Sequence, residues 1–248
     1  MNSQYFKTLK WMDVRLLELT ELVPHPKLTK VDDRLEIRFL EKSARQAVVQ
    51  KLARVISGLR VATHLLQVGF LQEQAALCRM INEFEDDVAF LSLAGKISPM
   101  PEKLKLYLDA FYEEEASFKQ SGTGQRVKGR ATVSRRDIAN FIAGCTLTGS
   151  ESSAMSSSTL AIGFAFAGYV HGTSPHIMEM YDLNSQSFIT TPQNDRGLLA
   201  SHEHDIWNYY YRGILSFGFA GYLFDVTAMD EQVRIHRMDF EKATKRSS

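Results

Sequence analysis

Phe70-Leu71-Gln72-Glu73-Gln74-Ala75-Ala76-Leu77-Cys78-Arg79-Met80-Ile81-Asn82-Glu83-Phe84-Glu85-Asp86-Asp87-Val88-Ala89-Phe90-Leu91 is the stretch whose reading decides the fold. Phe70, Leu77, Ile81, Phe84, Val88 and Leu91 recur at steps of three, four and seven. That spacing lays one apolar seam along an α-helix, facing a neighbouring helix. No proline interrupts the chain between Asp33 and Ala94, and only Gly58 and Gly69 loosen it. Two long helices or one kinked helix are therefore expected there, with residues 60–94 as a central helix.

The same periodicity extends outward. Towards the N-terminus, residues 3–22 read as an amphipathic helix that ends before Pro24 and Pro26, because a residue preceding proline is pushed out of the α region. Asp32 or Asp33 is placed to cap the next element. Towards the C-terminus, Pro101 starts a helix to about Phe118. Residues 119–136 form a glycine-containing linker, and Ser134 caps a helix through Cys145. A serine-rich run at 148–159 leads into a helix to Tyr169. Ser174 and Pro175 start a short helix to about Asp182, and residues 187–191 favour extended chain. Thr191 or Asn194 caps a long helix to Phe224, and a charged helix follows to about Lys242. The segments 160–169 and 215–222 present small-residue faces suited to close packing. The fold expected is all-α, a multi-helix bundle with two long central helices, 60–94 and 195–224. Residues 1–248 are expected to form a single helical domain, with a sub-boundary open at the 119–136 loop.

Charge and cysteine content narrow the function classes. Lys plus Arg equals Asp plus Glu at 29 each, so the overall field steers neither nucleic acid nor an anionic membrane. Cys78 and Cys145 are too few for a disulfide framework and read as buried free thiols. The longest apolar runs fall short of the roughly 20 residues that span a bilayer, and the N-terminus has no uninterrupted apolar stretch. A soluble cytoplasmic protein without a membrane segment is expected.

Four constellations are candidates for chemistry. Arg79, Glu83 and Asp86, with Asp87 next to it, make the first; the steps of four and three put Arg79, Glu83 and Asp86 on one helix face, on the side opposite the apolar seam. They form either a solvated salt-bridge ladder or, if the helix is central, the lining of a polar cleft. His171 and His176 flank the corner Gly172-Thr173-Ser174-Pro175, with Glu179 three residues beyond. One expectation is that Arg79 and Glu83 meet His171 across a helix interface. His202 and His204 lie about 200° apart around a helix and cannot ligate one metal together. His202 with Asp205 is the better pair, so no metal and no cofactor is assigned. Last, Lys119, Arg126, Lys128, Arg130, Arg135 and Arg136 form a basic run without an acid until Asp137. Arg126, Lys128 and Arg130 are its candidate RNA contacts.

Two of these segments together carry a resemblance. Cys78-Arg79-Met80-Ile81-Asn82-Glu83 and the later Gly168-Tyr169-Val170-His171-Gly172 resemble a family of uncharacterised, all-helical bacterial proteins with suspected kinship to HEPN and abortive-infection proteins. The resemblance covers about residues 60–180. It implies an Arg-x-x-x-Glu helix and a small-x-x-His helix end. HEPN ribonucleases carry Arg-x(4–6)-His at a dimer interface, and Arg196 to His202 fits that spacing, although Gly197 stands where those proteins usually have a polar residue. On that resemblance His202 would deprotonate a 2′-hydroxyl and Arg196 would stabilise the phosphate, without a metal. Two functions follow. The first is a partner- or ligand-binding helical module with a polar cleft at Arg79, Glu83, Asp86, His171 and His176. The alternative is a HEPN-like endoribonuclease of a defence or toxin system. RNA, a protein partner and a homodimer are all open.

Overall fold

Helix α3 (Leu71–Ala94) and helix α8 (Arg196–Phe224) run side by side and parallel through the middle of an all-α bundle. Gln74 meets His202 near their starts, Asp86 meets Arg212 halfway, and Gly95 lies against Leu223 at their ends. The computed structural model describes residues 3–31, 34–113, 116–118, 124–126, 132–146, 160–161 and 163–244.

The central helix expected over 60–94 is two helices. Helix α2 (Ala44–Val68) ends at Gly69, whose φ of 85° is left-handed, and the chain reverses into α3. A Cβ at this position would stand 2.6 Å from the Gln193 carbonyl oxygen, so both the turn and the close approach demand glycine. After the reversal α2 lies antiparallel to α3. Ile81 of the apolar seam packs directly onto Gly58, where an added Cβ would sit 2.7 Å from its side chain. The start of α2 is set by a capping box. Ser43 Oγ accepts from the Gln46 amide, and the Gln46 side chain accepts from the Ser43 amide. The Ser-x-x-Gln spacing at 43–46 is a sequence-level signature of this device.

Asp32 and Asp33 lie outside the described residues, between two strands rather than ahead of a helix. Strand β1 (Lys27–Val31) pairs antiparallel with β2 (Arg34–Arg38), with Leu28 opposite Ile37. Period-two alternation of apolar and charged residues over 34–38 suits the second strand. A similar correction applies after Pro101. Helix α4 (Glu102–Tyr112) is shorter than expected, and β3 (Ala116–Phe118) pairs with β4 (Gly124–Arg126) where the end of a helix and a loop were read.

Further along, α5 (Arg135–Thr146) opens with Ser134 accepting from the Asp137 amide, as the capping rule requires. Helix α6 covers 163–171, and the short α7 (Ser174–Ile177) continues as a 3-10 turn, Met178–Met180. Strands β5 (Tyr181–Asp182) and β6 (Ser187–Phe188) form a third small hairpin. Asp195, one residue past the expected caps, caps α8 by accepting from Leu198 N at 2.8 Å. Helix α9 (Thr227–Thr244) folds back on α8. Its turn places Gly221 where a Cβ would stand 2.6 Å from Met229, so the small-residue face of α8 receives α9.

Helix α1 (Ser3–Glu21) closes the bundle with stacked and edge-on rings. Trp11 stacks on His236 at 4.4 Å, and Tyr5 meets Tyr210 and Phe240. One buried apolar cluster takes in residues of α1 to α5, α8 and α9, including Ile138 and Ile142 from beyond the 119–136 segment. Cys78 is buried as expected, whereas Cys145, at the end of α5, is exposed. No helix among the described residues is long and apolar enough to cross a membrane.

Candidate functional site on the polar ridge of α3

Helix α3 is buried on two faces. The apolar seam meets α2, and the side away from it carries Asn82 and Asp86, flanked by Glu85 and Asp87, all below one-tenth exposed. The solvated-ladder reading of this side is thereby corrected for Asp86. The reason is position: a central helix has neighbours all round, and three further helices bring cations to it. Lys51 of α2 and Arg135 of α5 both reach Asp87, at 2.8 Å and 2.5 Å. Arg212 of α8 donates to Asp86 Oδ1 at 2.7 Å and to the Asn82 side-chain oxygen. Arg135 also donates to the Glu83 carbonyl at 3.1 Å and lies 3.4 Å from Asp86 Oδ2. Buried charges persist only when paired in this way.

Glu85 is the exception. Its side chain is 2% exposed, and its nearest cation is Arg212 Nε at 3.5 Å. Neither carboxyl oxygen makes a hydrogen bond among the described residues. Burial pushes its pKa up to about 8, against a lowering by Arg212, with the Asp86 charge adding to the rise. The carboxyl is thus protonated at neutral pH. Burial likewise raises Asp86, while Arg212 and Arg135 pull it down. The Tyr209 hydroxyl is a second buried group without a hydrogen bond among the described residues.

Arg79 and Glu83 sit on the outer flank of this ridge. They pair with each other at 2.7 Å, four residues apart, with side chains 20% and 37% exposed. The Arg79 guanidinium lies beside Gly163 of α6. His171 does not join them: it is exposed, and it makes no hydrogen bond or ion pair with either residue among the described ones. The expected three-way cluster is absent because the last turn of α6 docks through Gly168 and Tyr169, against His176, Glu179 and His202, and leaves His171 exposed. A half-exposed i,i+4 pair is worth only about 0.3–0.5 kcal/mol. Glu83→Ala is accordingly expected to shift the melting temperature by about 1–2 °C. A loss several times larger in calorimetry would show that Glu83 anchors more than Arg79.

The histidine corner is a structural clip. His176 Nδ1 bonds Thr173 Oγ1 at 2.8 Å and its Nε2 bonds the Ala165 carbonyl at 3.3 Å, so both ring nitrogens are engaged. The ring lies over Gly168, where a Cβ would come within 2.1 Å of it. Gln72 of α3 donates to the His176 carbonyl and to Glu179, which also accepts from the Tyr169 hydroxyl. The corner thereby docks on the first turn of α3, about 10 Å along the helix from Arg79. Ser174, expected as the cap, is the first helical residue, and Thr173 precedes it without a side-chain cap bond.

Arg196 and His202 are not brought together. Arg196 is exposed at the first turn of α8. His202 is 3% exposed and its Nδ1 is 2.7 Å from Gln74 Oε1, with burial lowering its pKa. Six helical residues separate the two by about 240° of rotation and 9 Å of rise. Lys128 and Arg130 lie outside the described residues, and Arg126 is the last residue of β4. Among the described residues no group of three or more His, Cys, Asp and Glu is placed to hold a metal.

Sequence reasoning named Arg79, Glu83, Asp86 and Asp87 together and placed Arg135 in the basic run, but it missed Lys51 and Arg212 and did not join Arg135 to the acids. One signal was present: three consecutive acids, Glu85-Asp86-Asp87, stand in the middle of the helix just ahead of its apolar last turns. The identity of their distant partners was not local information. Comparison with protein-family models, curated proteins and solved structures returned no match.

Proposed function

We propose that this chain is a partner-binding helical module whose recognition face is the outer flank of the α3 ridge. One observation supports the reading most. The Arg79, Arg135 and Arg212 side chains keep 20%, 31% and 25% of their surface open, while carboxylates of α3 hold each guanidinium in place. Pre-oriented guanidinium groups lose little entropy on binding and present planar donors to carboxylates. With Glu85 protonated, four cations (Lys51, Arg79, Arg135, Arg212) face three carboxylates (Glu83, Asp86, Asp87). The ridge thus favours an acidic partner. The balanced overall charge speaks for an acidic protein segment over RNA, whose binders usually carry a marked basic excess.

Fluorescence anisotropy with a labelled glutamate-rich peptide and a labelled single-stranded RNA tests the reading. Saturable peptide binding that Arg79→Ala weakens roughly tenfold, the loss of one charge-assisted contact, is the expected result. RNA binding in preference to the peptide, or no binding of either, overturns it. The same RNA incubated in EDTA is expected to remain intact, because His202 is buried and bonded to Gln74. Cleavage that His202→Ala abolishes in a folded variant would restore the endoribonuclease reading.

A further inference from the structure

We infer that the recess between the β1–β2 hairpin and the end of α4 binds a small aromatic carboxylate. None of its lining residues belongs to the α3 ridge, so it stands apart from the reading above. The recess holds about 550 Å³, inside the range of small-molecule sites. At the roughly 30 Å³ that a water molecule occupies, it takes on the order of a dozen or more non-hydrogen atoms. The hairpin reaches it with an inverted orientation. Antiparallel register puts Thr29, Glu36 and Arg38 on one face and Leu28, Leu35 and Ile37 on the other. An apolar face ordinarily packs on the body and the polar face meets water. Here Leu28, Leu35 and Ile37 are 65%, 68% and 72% exposed, whereas Thr29, Glu36 and Arg38 are half-buried. Thr29 and Arg38 line the recess, and Glu36 holds Arg38 in an ion pair. The hairpin thus turns its donors inward and leaves its aliphatic residues in water, an arrangement that apolar packing by itself does not select.

The rest of the lining is rich in rings that are already fixed. Phe111 and Tyr112 end α4, Phe39 follows β2, and all three border the recess. Lys51 lies 5.0 Å from the Phe111 centroid, and Tyr112 meets Phe111 edge-on at 4.9 Å. The Tyr112 hydroxyl donates to the Ser43 carbonyl at 2.9 Å. Ordered rings of this kind accept a flat aromatic body through offset or edge contacts. Charge sets the polar group of the ligand. Two cations, Arg38 and Lys42, line the space against one acid, Glu113, which is exposed. Lys42 makes no hydrogen bond or ion pair among the described residues. A carboxylate is acceptor-only and suits a guanidinium and an ammonium together. Glu113 limits the affinity without cancelling both cations.

The test titrates the isotope-labelled full chain with sodium 2-naphthoate, neutral 2-naphthol, 2-naphthylmethylammonium or sodium decanoate, following the Thr29, Gln50 and Tyr112 amides by NMR. Saturable shifts of those amides with naphthoate are expected, with weaker binding of naphthol and weaker still of the cation. Lys42→Gln, an exposed change, should raise the naphthoate dissociation constant about threefold, the worth of one exposed charge contact, and leave naphthol unchanged. Glu113→Gln should lower the naphthoate constant. Thr29→Trp, whose ring fills the recess from a surface strand, should abolish binding while the circular dichroism spectrum is retained. Absence of a saturable shift with naphthoate overturns the site. So does binding of the cation as tight as that of naphthoate, or naphthoate binding that neither Lys42→Gln nor Glu113→Gln changes. Tighter binding of decanoate than of naphthoate overturns the aromatic class.

Discussion

Replacing Asp87 with alanine is expected to destabilise the protein by about 3–5 kcal/mol, the loss typical of breaking a buried ion pair from one side. Asp87 is 4% exposed and receives Lys51 from α2 and Arg135 from α5. Removing its carboxylate strands Lys51 without its acidic partner and takes from Arg135 its shortest bond to α3, leaving it the Glu83 carbonyl and Asp86. Lys51 also lies over the rings of Phe84 and Phe111, 4.8 Å and 5.0 Å from their centroids, so it cannot swing to water without exposing them. Urea denaturation measures the effect directly. A double variant Asp87→Ala with Arg135→Met should lose less than the two single losses added, because contacting residues are not independent. A loss below about 1 kcal/mol for Asp87→Ala would place the pair among surface bridges and refute the buried-clamp account.

The second large effect is a dependence of stability on pH that Glu85 imposes. In the unfolded chain a glutamate titrates near about 4.3, and in the folded protein Glu85 titrates at about 8 because burial disfavours its charged form. Between these values the folded chain holds a proton that the unfolded chain has released. Stability from this group is therefore full below about pH 4.3 and is lost as pH rises to about 8, by about 1.4 kcal/mol per unit. His236 acts in the opposite sense. Burial against Trp11 lowers its pKa to about 4, with Asp239 opposing, so it favours the folded state increasingly from about pH 4 to about 6.5. The two oppose each other up to about 6.5. Above that, Glu85 leaves a net fall of about 2 kcal/mol by pH 8. Melting temperatures of wild type should drop over pH 6.5–8, and Glu85→Gln, which keeps the shape and removes the titration, should flatten the profile and be the more stable protein at pH 8. Parallel profiles for the two would reject a protonated Glu85.

Much of the candidate site was visible along the chain and some of it was not. Arg79 and Glu83 form the i,i+4 pair that their spacing implies, because both lie on one helix and the distance between them is set by helical geometry alone. The fate of Asp86 was undecidable locally. An acid three residues after Glu83 is solvated on an outer helix and clamped on a central one, and only the arrival of Arg212 and Arg135 from 126 and 49 residues away chose between them. His202 shows the converse. Its spacing from Arg196 admits a catalytic pair, but α8 turns it inward to Gln74, 128 residues away in sequence.

By itself, the amino-acid sequence determined the helical class, the extents of α1 and α8 to within a residue or two, and the apolar seam of α3. Each is written in short-range periodicity and in the punctuation of proline and glycine, which act within a few residues. Tertiary structure alone decided that α2 and α3 part at Gly69, where the Gln193 carbonyl leaves no room for a side chain. It alone decided that α3 has two buried faces, that its acids are held by three other helices, and that Glu85 keeps its proton. These outcomes depend on which surfaces lose water, and that is settled only when distant elements come together.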